Sequence, residues 1–202
     1  MENELTSRDK KRIEESIRGK YAKVARSPEG LFRYPTGRAG LEVLNYDPEI
    51  TNTLPETVMS FYCGVGNPFS LGSIREGQAV VDIGCGVGVD TIVAAIMVGP
   101  TGRAEGVDMT PEMLVQAREN ARMMGLEIVS FEEASAEDLP FEDGSFDVVI
   151  SNGVFNLIAD KLKALKEALR VLKPKGRLLL ADQNLVGRLP KDKRARIKSW
   201  FR

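Results

Sequence analysis

Asp82 and Asp108 each close an apolar run, and a turn carrying Gly84, Gly86 and Gly88 follows the first of them. Val80 and Val81 read as the end of a buried strand. Thr91, Ile92, Ala94, Ala95 and Ile96 open a helical pattern directly after the turn. A strand, a glycine-rich turn and a helix are how an open α/β sheet brings its backbone close to a nucleotide-like ligand. Glycine removes the Cβ that would block that approach and tolerates positive φ. The helix start presents free N–H groups to the ligand. A tight packing turn without a ligand is the alternative, and the glycines by themselves leave it open.

Spacing narrows the chemistry. The dinucleotide fingerprint sets its third glycine three residues after the second. Val89 holds that place here, and the glycine falls at Gly88. A carboxylate at Asp82 is awkward beside a pyrophosphate and suits an ammonium group. Asp108 ends a second run, Arg103–Val107. An acid at the end of a second strand can accept both ribose hydroxyls. The expected ligand is therefore an adenosine with a cation and no phosphates, which S-adenosylmethionine satisfies. The same spacing disfavours a nicotinamide-dependent oxidoreductase.

The chain has 202 residues and no histidine. That excludes a Ser–His–Asp triad, a Cys–His pair and a histidine-based metal site, and no metal is expected. The two cysteines, Cys63 and Cys85, form no disulfide framework. Cys63 reads as a small buried hydrophobe or as a reactive thiol. A net charge of −1 gives no global reason to expect nucleic acid or a membrane as partner. Without a signal peptide or an apolar run near the length of a membrane span, the expected location is cytoplasmic.

The elements that must position these residues follow from periodicity. Residues 1–25 read as an amphipathic helix on Ile13, Ile17, Tyr21 and Val24, with Thr6 and Asp9 approximating a capping box. It is either a packed helix or a lid over the ligand. Residues 26–53 read as loop, Leu54–Tyr62 as a short helix, and residues 61–72 (FYCGVGNPFSLG) as a shaped turn. Strands are expected at 78–83, 103–108, 127–131, 146–151 and 177–182. Helices are expected at 89–98, 111–124 and 160–172. This alternation predicts a parallel α/β sheet covered on both faces. Met113, Ala117, Ala121 and Met124 should face the core from the second of these helices. Ile158, Leu162, Leu165, Leu169 and Leu172 should do so from the third. The basic tail Lys191–Arg202 reads as a solvated helix face.

Several segments together resemble the class I S-adenosylmethionine-dependent methyltransferases, and within them the arsenite methyltransferases and the quinone C-methyltransferase-like enzymes. They are FYCGVGNP (61–68), VVDIGCGVGVD (80–90), residues 98–120, SAEDLPFEDGSFDVVISNGVFNL (135–157) and RVLKPKGRLLLADQ (170–183). The resemblance implies a Rossmann-like sheet with helices on both faces. It implies a core at 76–202 that binds S-adenosyl-L-methionine, and a helical lid and acceptor-side segment at 1–75. Asp82, Gly84, Cys85, Gly86 and Gly88 would wrap the methionine end of the cofactor. Asp108 would hold the ribose, Met109 would pack on adenine, and Ser135, Ala136 and Glu137 would flank it. Ser151 and Asn152 would face the transferring methyl group, with Cys63 a further acceptor-side candidate.

The implied substrate is a small-molecule or metalloid acceptor. A quinone-like C- or O-acceptor and a non-catalytic binding module remain as alternatives. Val65 and Gly153 stand where the arsenite enzymes have cysteine, which weakens the arsenic reading. The family's terminal β-hairpin is missing from this sequence, so the strand at 177–182 is expected to be an unprotected edge open to homodimer pairing. The sequence thus reads as an incomplete part of a longer protein, with a UGA selenocysteine codon taken as a stop as one specific cause.

Overall fold

The computed structural model describes residues 5–184. Its sheet grows from strands whose residues are apolar on both faces, as strands covered by helices on two sides must be. β1 (Ala79–Ile83) is buried at every position. Val80 faces a cluster with Ala104, Val148 and Ile150. Its neighbour Val81 faces the opposite cluster with Ile83, Val107 and Val149. The other strands are β2 (Arg103–Asp108), β3 (Val129–Glu133), β4 (Phe146–Asn152) and β5 (Leu172–Ala181). All four pairings are parallel, in the order β3-β2-β1-β4-β5. The order reverses at β1, and a crevice opens beyond the carboxyl ends of β1 and β4, where ligands bind in open α/β sheets.

Helices α5 (Val89–Val98), α6 (Pro111–Met123) and α7 (Lys161–Val171) fill the crossovers. Ala94, Ala95 and Val98 of α5 cover one face of the sheet, and Ala168 and Val171 of α7 cover the other. Pro111 opens α6, where a missing N–H costs nothing, and Gly125 follows its end at φ 63°. Met113, Ala117 and Ala121 are buried as the periodicity predicts.

The N-terminal part brings α1 (Ser7–Val24), α2 (Gly37–Val43), α3 (Pro48–Thr51), α4 (Glu56–Met59) and a 3-10 turn at Pro68–Leu71. The capping box of α1 is complete. The Asp9 N–H donates to Thr6 Oγ1 at 3.2 Å and the Thr6 N–H to Asp9 Oδ2 at 2.9 Å. Leu41, Tyr46, Leu54, Val58 and Tyr62 share an apolar cluster with Val87, Val89, Ile92 and Val93, so residues on both sides of position 75 pack together.

Several elements differ from expectation. The stretch 26–53 holds α2 and α3, the latter started by Asp47, whose carboxylate accepts the Glu49 N–H at 2.8 Å. The helix expected over Leu54–Tyr62 is a single turn. The leucine stripe of α7 does not form its buried face: Leu162 and Leu169 are 64% and 62% exposed, and Ala164, Ala168 and Val171 face the sheet instead. Small residues let this helix approach the strands closely, and Leu162 and Leu169 are turned outward. β3 begins two residues later than expected, because Leu126 is still tied to the end of α6 through its N–H to Ala121 O. β5 begins at Leu172, and Lys173–Gly176 form an irregularity inside the strand, with Lys175 at φ 68°. The tail expected to be helical lies outside the described residues.

Candidate active site

The crevice is a cleft with about 1130 Å³ of empty space, its open mouth included. Its floor is the turn from β1 into α5. The N–H groups of Gly84 and Cys85 donate to Val107 O at 2.7 and 2.9 Å and tie the turn to β2. Gly84, Gly86 and Gly88 have φ of 75°, 53° and 81°, in the region that favours glycine. Their duties divide. A Cβ at Gly84 would collide with Val154, and one at Gly88 would lie 2.8 Å from Phe131. A Cβ at Gly86 would meet no atom within 4 Å, and Gly86 lines the cleft. Close packing therefore requires two of these glycines, and the third leaves backbone open to a ligand.

Carboxylates surround this floor. Asp82 is buried, and its Oδ2 accepts the Thr91 hydroxyl at 2.8 Å. Asp108 accepts the Gly86 N–H at 3.0 Å and the Thr110 N–H at 2.8 Å. Asp90, in the first turn of α5, accepts the Tyr46 hydroxyl at 2.7 Å and an Asn152 amide proton at 2.9 Å. Burial raises the pKa of all three, and the Asp90 charge raises Asp82 further. Glu14 and Glu137 also line the cleft, and among the described residues no lysine or arginine does. Such a site favours a cationic ligand.

The opposite wall comes from the N-terminal segment. Glu14, Ile17 and Tyr21 of α1 line the cleft, followed by Phe61, Tyr62, Cys63 and Gly64. Ion pairs hold α1 at two places, Lys10–Asp160 and Arg18–Glu133, both at 2.8 Å. Each is substantially exposed and screened by water, so neither pins α1 strongly. Burial pushes the Cys63 thiol up to about 12, so it is protonated at neutral pH. The Asn152 side chain closes the corner where this wall meets β4. Its Oδ1 accepts the Val65 and Gly66 N–H groups at 2.9 and 3.1 Å, and its amide donates to Gly66 O at 2.8 Å.

Most residues singled out from sequence border this one cleft: Cys63, Asp82, Gly84, Cys85, Gly86, Asp108, Met109, Ser135, Ala136, Glu137 and Asn152. Two do not. Gly88 lies behind the turn against Phe131, and Ser151 is fully buried with its hydroxyl donating to Ile83 O at 2.8 Å. The alternation of β4 explains the second case, since only one of two successive side chains can face a given side. Asp90, Tyr46 and Tyr62 were not anticipated. The sequence signal for this group is a charged residue inside α5, whose other residues are apolar apart from Thr91. Val65 and Gly153 are neighbours, because a Cβ at Gly153 would lie 3.2 Å from Val65 Cγ2.

The methyltransferase domain family profile matches residues 74–202. An arsenite methyltransferase of Halobacterium salinarum is 34% identical over 95% of this chain and 52% of its own length. A ubiquinone/menaquinone biosynthesis C-methyltransferase of Enterobacter is 44% identical over 54% of the chain and 44% of its own length. Among solved structures, an arsenic (III) S-adenosylmethionine methyltransferase from Chlamydomonas reinhardtii superposes with a TM-score of 0.60 and 37% identity, covering 78% of this chain and 52% of that one. The chain spans about half the length of the arsenite methyltransferases it matches.

Proposed function

This chain belongs to the class I S-adenosylmethionine-dependent methyltransferases, and on that premise we propose that it methylates a small molecule held between the N-terminal wall and the end of β4. One observation carries the reading: Gly86 leaves backbone open to a cleft lined by Asp82, Asp90 and Asp108 and by no described cation. A ligand with an ammonium and a sulfonium supplies the missing positive charge.

In this reading Asp82 receives the ammonium group, and the backbone at Gly84, Cys85 and Gly86 follows the methionine end. Asp108 turns to the ribose hydroxyls, Met109 packs on adenine, and Ser135, Ala136 and Glu137 flank it. Gly88 supports the turn from behind. The bound cofactor supplies an activated methyl group. The residues here need only align the acceptor and exclude water, which suits a site without histidine.

Cys63 and Asn152 stand on the acceptor side. Val65 against Gly153 leaves Cys63 as the one thiol on the acceptor side, which favours a carbon or oxygen acceptor of quinol type over arsenite. We also infer a cytoplasmic location, and a homodimer joined along β5, an outer strand of the described sheet; light scattering tests the dimer.

The experiment is release of S-adenosylhomocysteine by purified protein across a panel of a quinol with a free ring position, a phenol, and arsenite with thiol. Turnover with one of the first two supports the reading. Cofactor binding without turnover on any acceptor would point to a binding module. Tighter binding of NADH than of S-adenosylmethionine would overturn the reading altogether.

A further inference from the structure

The cluster around Asp90 joins four parts of the chain that are distant in sequence. The Tyr62 hydroxyl donates to Tyr46 Oη at 2.9 Å, and the Tyr46 hydroxyl donates to Asp90 Oδ1 at 2.7 Å. One Asn152 amide proton goes to Asp90 Oδ2 at 2.9 Å and the other to Gly66 O at 2.8 Å. Asn152 Oδ1 accepts the Val65 and Gly66 N–H groups. Each side-chain donor in this set has an acceptor, and both Asp90 oxygens are filled by donors. Such an arrangement is satisfied only with Asp90 as a carboxylate. Its protons are committed internally, so it holds geometry and does not pass a proton to an acceptor.

Resting on the methyltransferase reading, we propose that Asp90 is a positioning residue for the transfer step: through Tyr46, Tyr62 and Asn152 it fixes the acceptor-side strap Gly64–Gly66 against the cofactor turn and couples the two ligand sites. The position of Asp90 gives the coupling its route. It sits in the first turn of α5, two residues past Gly88, and lines the cleft itself. A cation arriving beside Asp82 stabilises the Asp90 carboxylate. That tightens the acceptors for Tyr46 and Asn152, and Asn152 carries the effect to the strap. Gly64 has no room for a side chain, because a Cβ there would overlap Tyr62 and Asn152. The strap is therefore closely fitted to the same two residues.

Protonation of Asp90 should release the strap. Burial raises this group to about 6, against the lowering effect of the Tyr46 and Asn152 hydrogen bonds. The groups facing it or sharing its surroundings are Asp82 from β1, Tyr46 and Tyr62 from the N-terminal segment, and the uncharged Asn152 from β4. Asp108 and Cys63 lie further along the cleft. Both tyrosines are raised and stay protonated donors at neutral pH.

The test is the amide resonances of Val65 and Gly66 in the full chain, followed by NMR from pH 5 to 8 with and without S-adenosylmethionine. In the wild type both resonances titrate with one midpoint near 6, and the cofactor shifts both. Asp90→Asn abolishes the titration and the cofactor-induced shift, and calorimetry still shows binding. Tyr46→Phe removes a bond that lowers the Asp90 pKa, so the midpoint moves up. Asp82→Asn keeps the titration. On an acceptor that turns over, Asp90→Asn lowers kcat at saturating cofactor by about 10- to 100-fold, as misalignment does, over and above the loss of cofactor affinity that calorimetry reads.

A titration that persists in Asp90→Asn, or an unmoved midpoint in Tyr46→Phe, overturns the proposal. Should Asp90→Asn fail to fold, the Tyr46→Phe midpoint decides alone. Failure of the wild type to bind S-adenosylmethionine would overturn the methyltransferase reading instead, and the pH arm would still test the network.

Discussion

Between Asp82 and Gly88 one short stretch builds its own wall of the cleft, whereas the wall from Phe61 to Gly66 draws hydrogen-bond partners from positions 34, 37, 46 and 152. On the first wall the shape is set by backbone: positive φ at three glycines and two N–H groups tied to Val107 O. On the second wall it is set by side chains, with Asn152 holding the strap and Tyr46, backed by Tyr62, holding Asp90. A wall made by backbone depends on local residues and accepts one class of ligand. A wall made by distant side chains can change its acceptor when single contacts change, as at Val65 and Gly153. Loops on a fixed scaffold vary in function for this reason.

The sharpest way to break that comparison is at Cys63. Cys63 is half-buried on the cleft, and with its thiol raised to about 12 by burial it should react with iodoacetamide at pH 7.5 roughly 10³-fold more slowly than a free thiol. Mass spectrometry of the alkylated peptide over time measures this. A rate within tenfold of free cysteine would mean that water reaches the wall freely.

Asn152→Ala should come next in size. It strips partners from the Val65 and Gly66 N–H groups and from one Asp90 oxygen, and leaving such groups buried costs about 3 kcal/mol in total. Urea unfolding reads the loss directly. A change well below 1 kcal/mol would show that the strap does not depend on this side chain. Asp108→Ala acts on the first wall. Losing hydrogen bonds from a charged group costs about 1.5–3 kcal/mol, so cofactor affinity should fall by about 10- to 100-fold. Calorimetry with an unchanged Kd would remove the ribose assignment.

The smallest effect is expected at α1, which belongs to neither wall's hydrogen-bond network. Thr6→Ala breaks its capping box and should cost about 1 kcal/mol of stability, measured by the same urea titration. Cofactor affinity should stay the same if α1 contributes only its packed face.

The first wall was legible in the sequence because its causes are local. A buried strand, alternating glycines and an acid at the end of the next strand lie within some thirty residues, and each has a direct physical meaning. The sheet and its crossover helices were legible for the same reason, through Val80–Ile83 and the Thr110-Pro111 helix start. The second wall was not. Nothing near Tyr46 shows that its hydroxyl meets Asp90, because that contact spans 44 residues and is created by packing. The strand period alone could not tell Ser151 from Asn152. Leucines at helical spacing on α7 misled because apolar periodicity names a stripe but not its neighbour: the sheet took the alanines, which let the helix come closer.

The acidic lining has a consequence for the lifetime of the empty protein. Asp82, Asp90 and Asp108 all have folded-state pKa values above the ordinary carboxylate range. Each therefore adds stability below about pH 4, and that stability is lost as pH rises through its folded value, near 6 for Asp90. At neutral pH the Asp90 carboxylate is a charge the unliganded fold would be more stable without, and burial disfavours the charged forms of Asp82 and Asp108 in the same way. A cationic ligand offsets them, and by mass action it shifts the population away from unfolded molecules that proteases remove. Steady-state abundance in a cell should then follow the supply of cofactor, so that methyl-donor starvation depletes the protein and not merely its activity. Quantifying the protein after methionine withdrawal, beside an Asp90→Asn variant that has lost that charge, would show whether degradation follows the charge in the cleft.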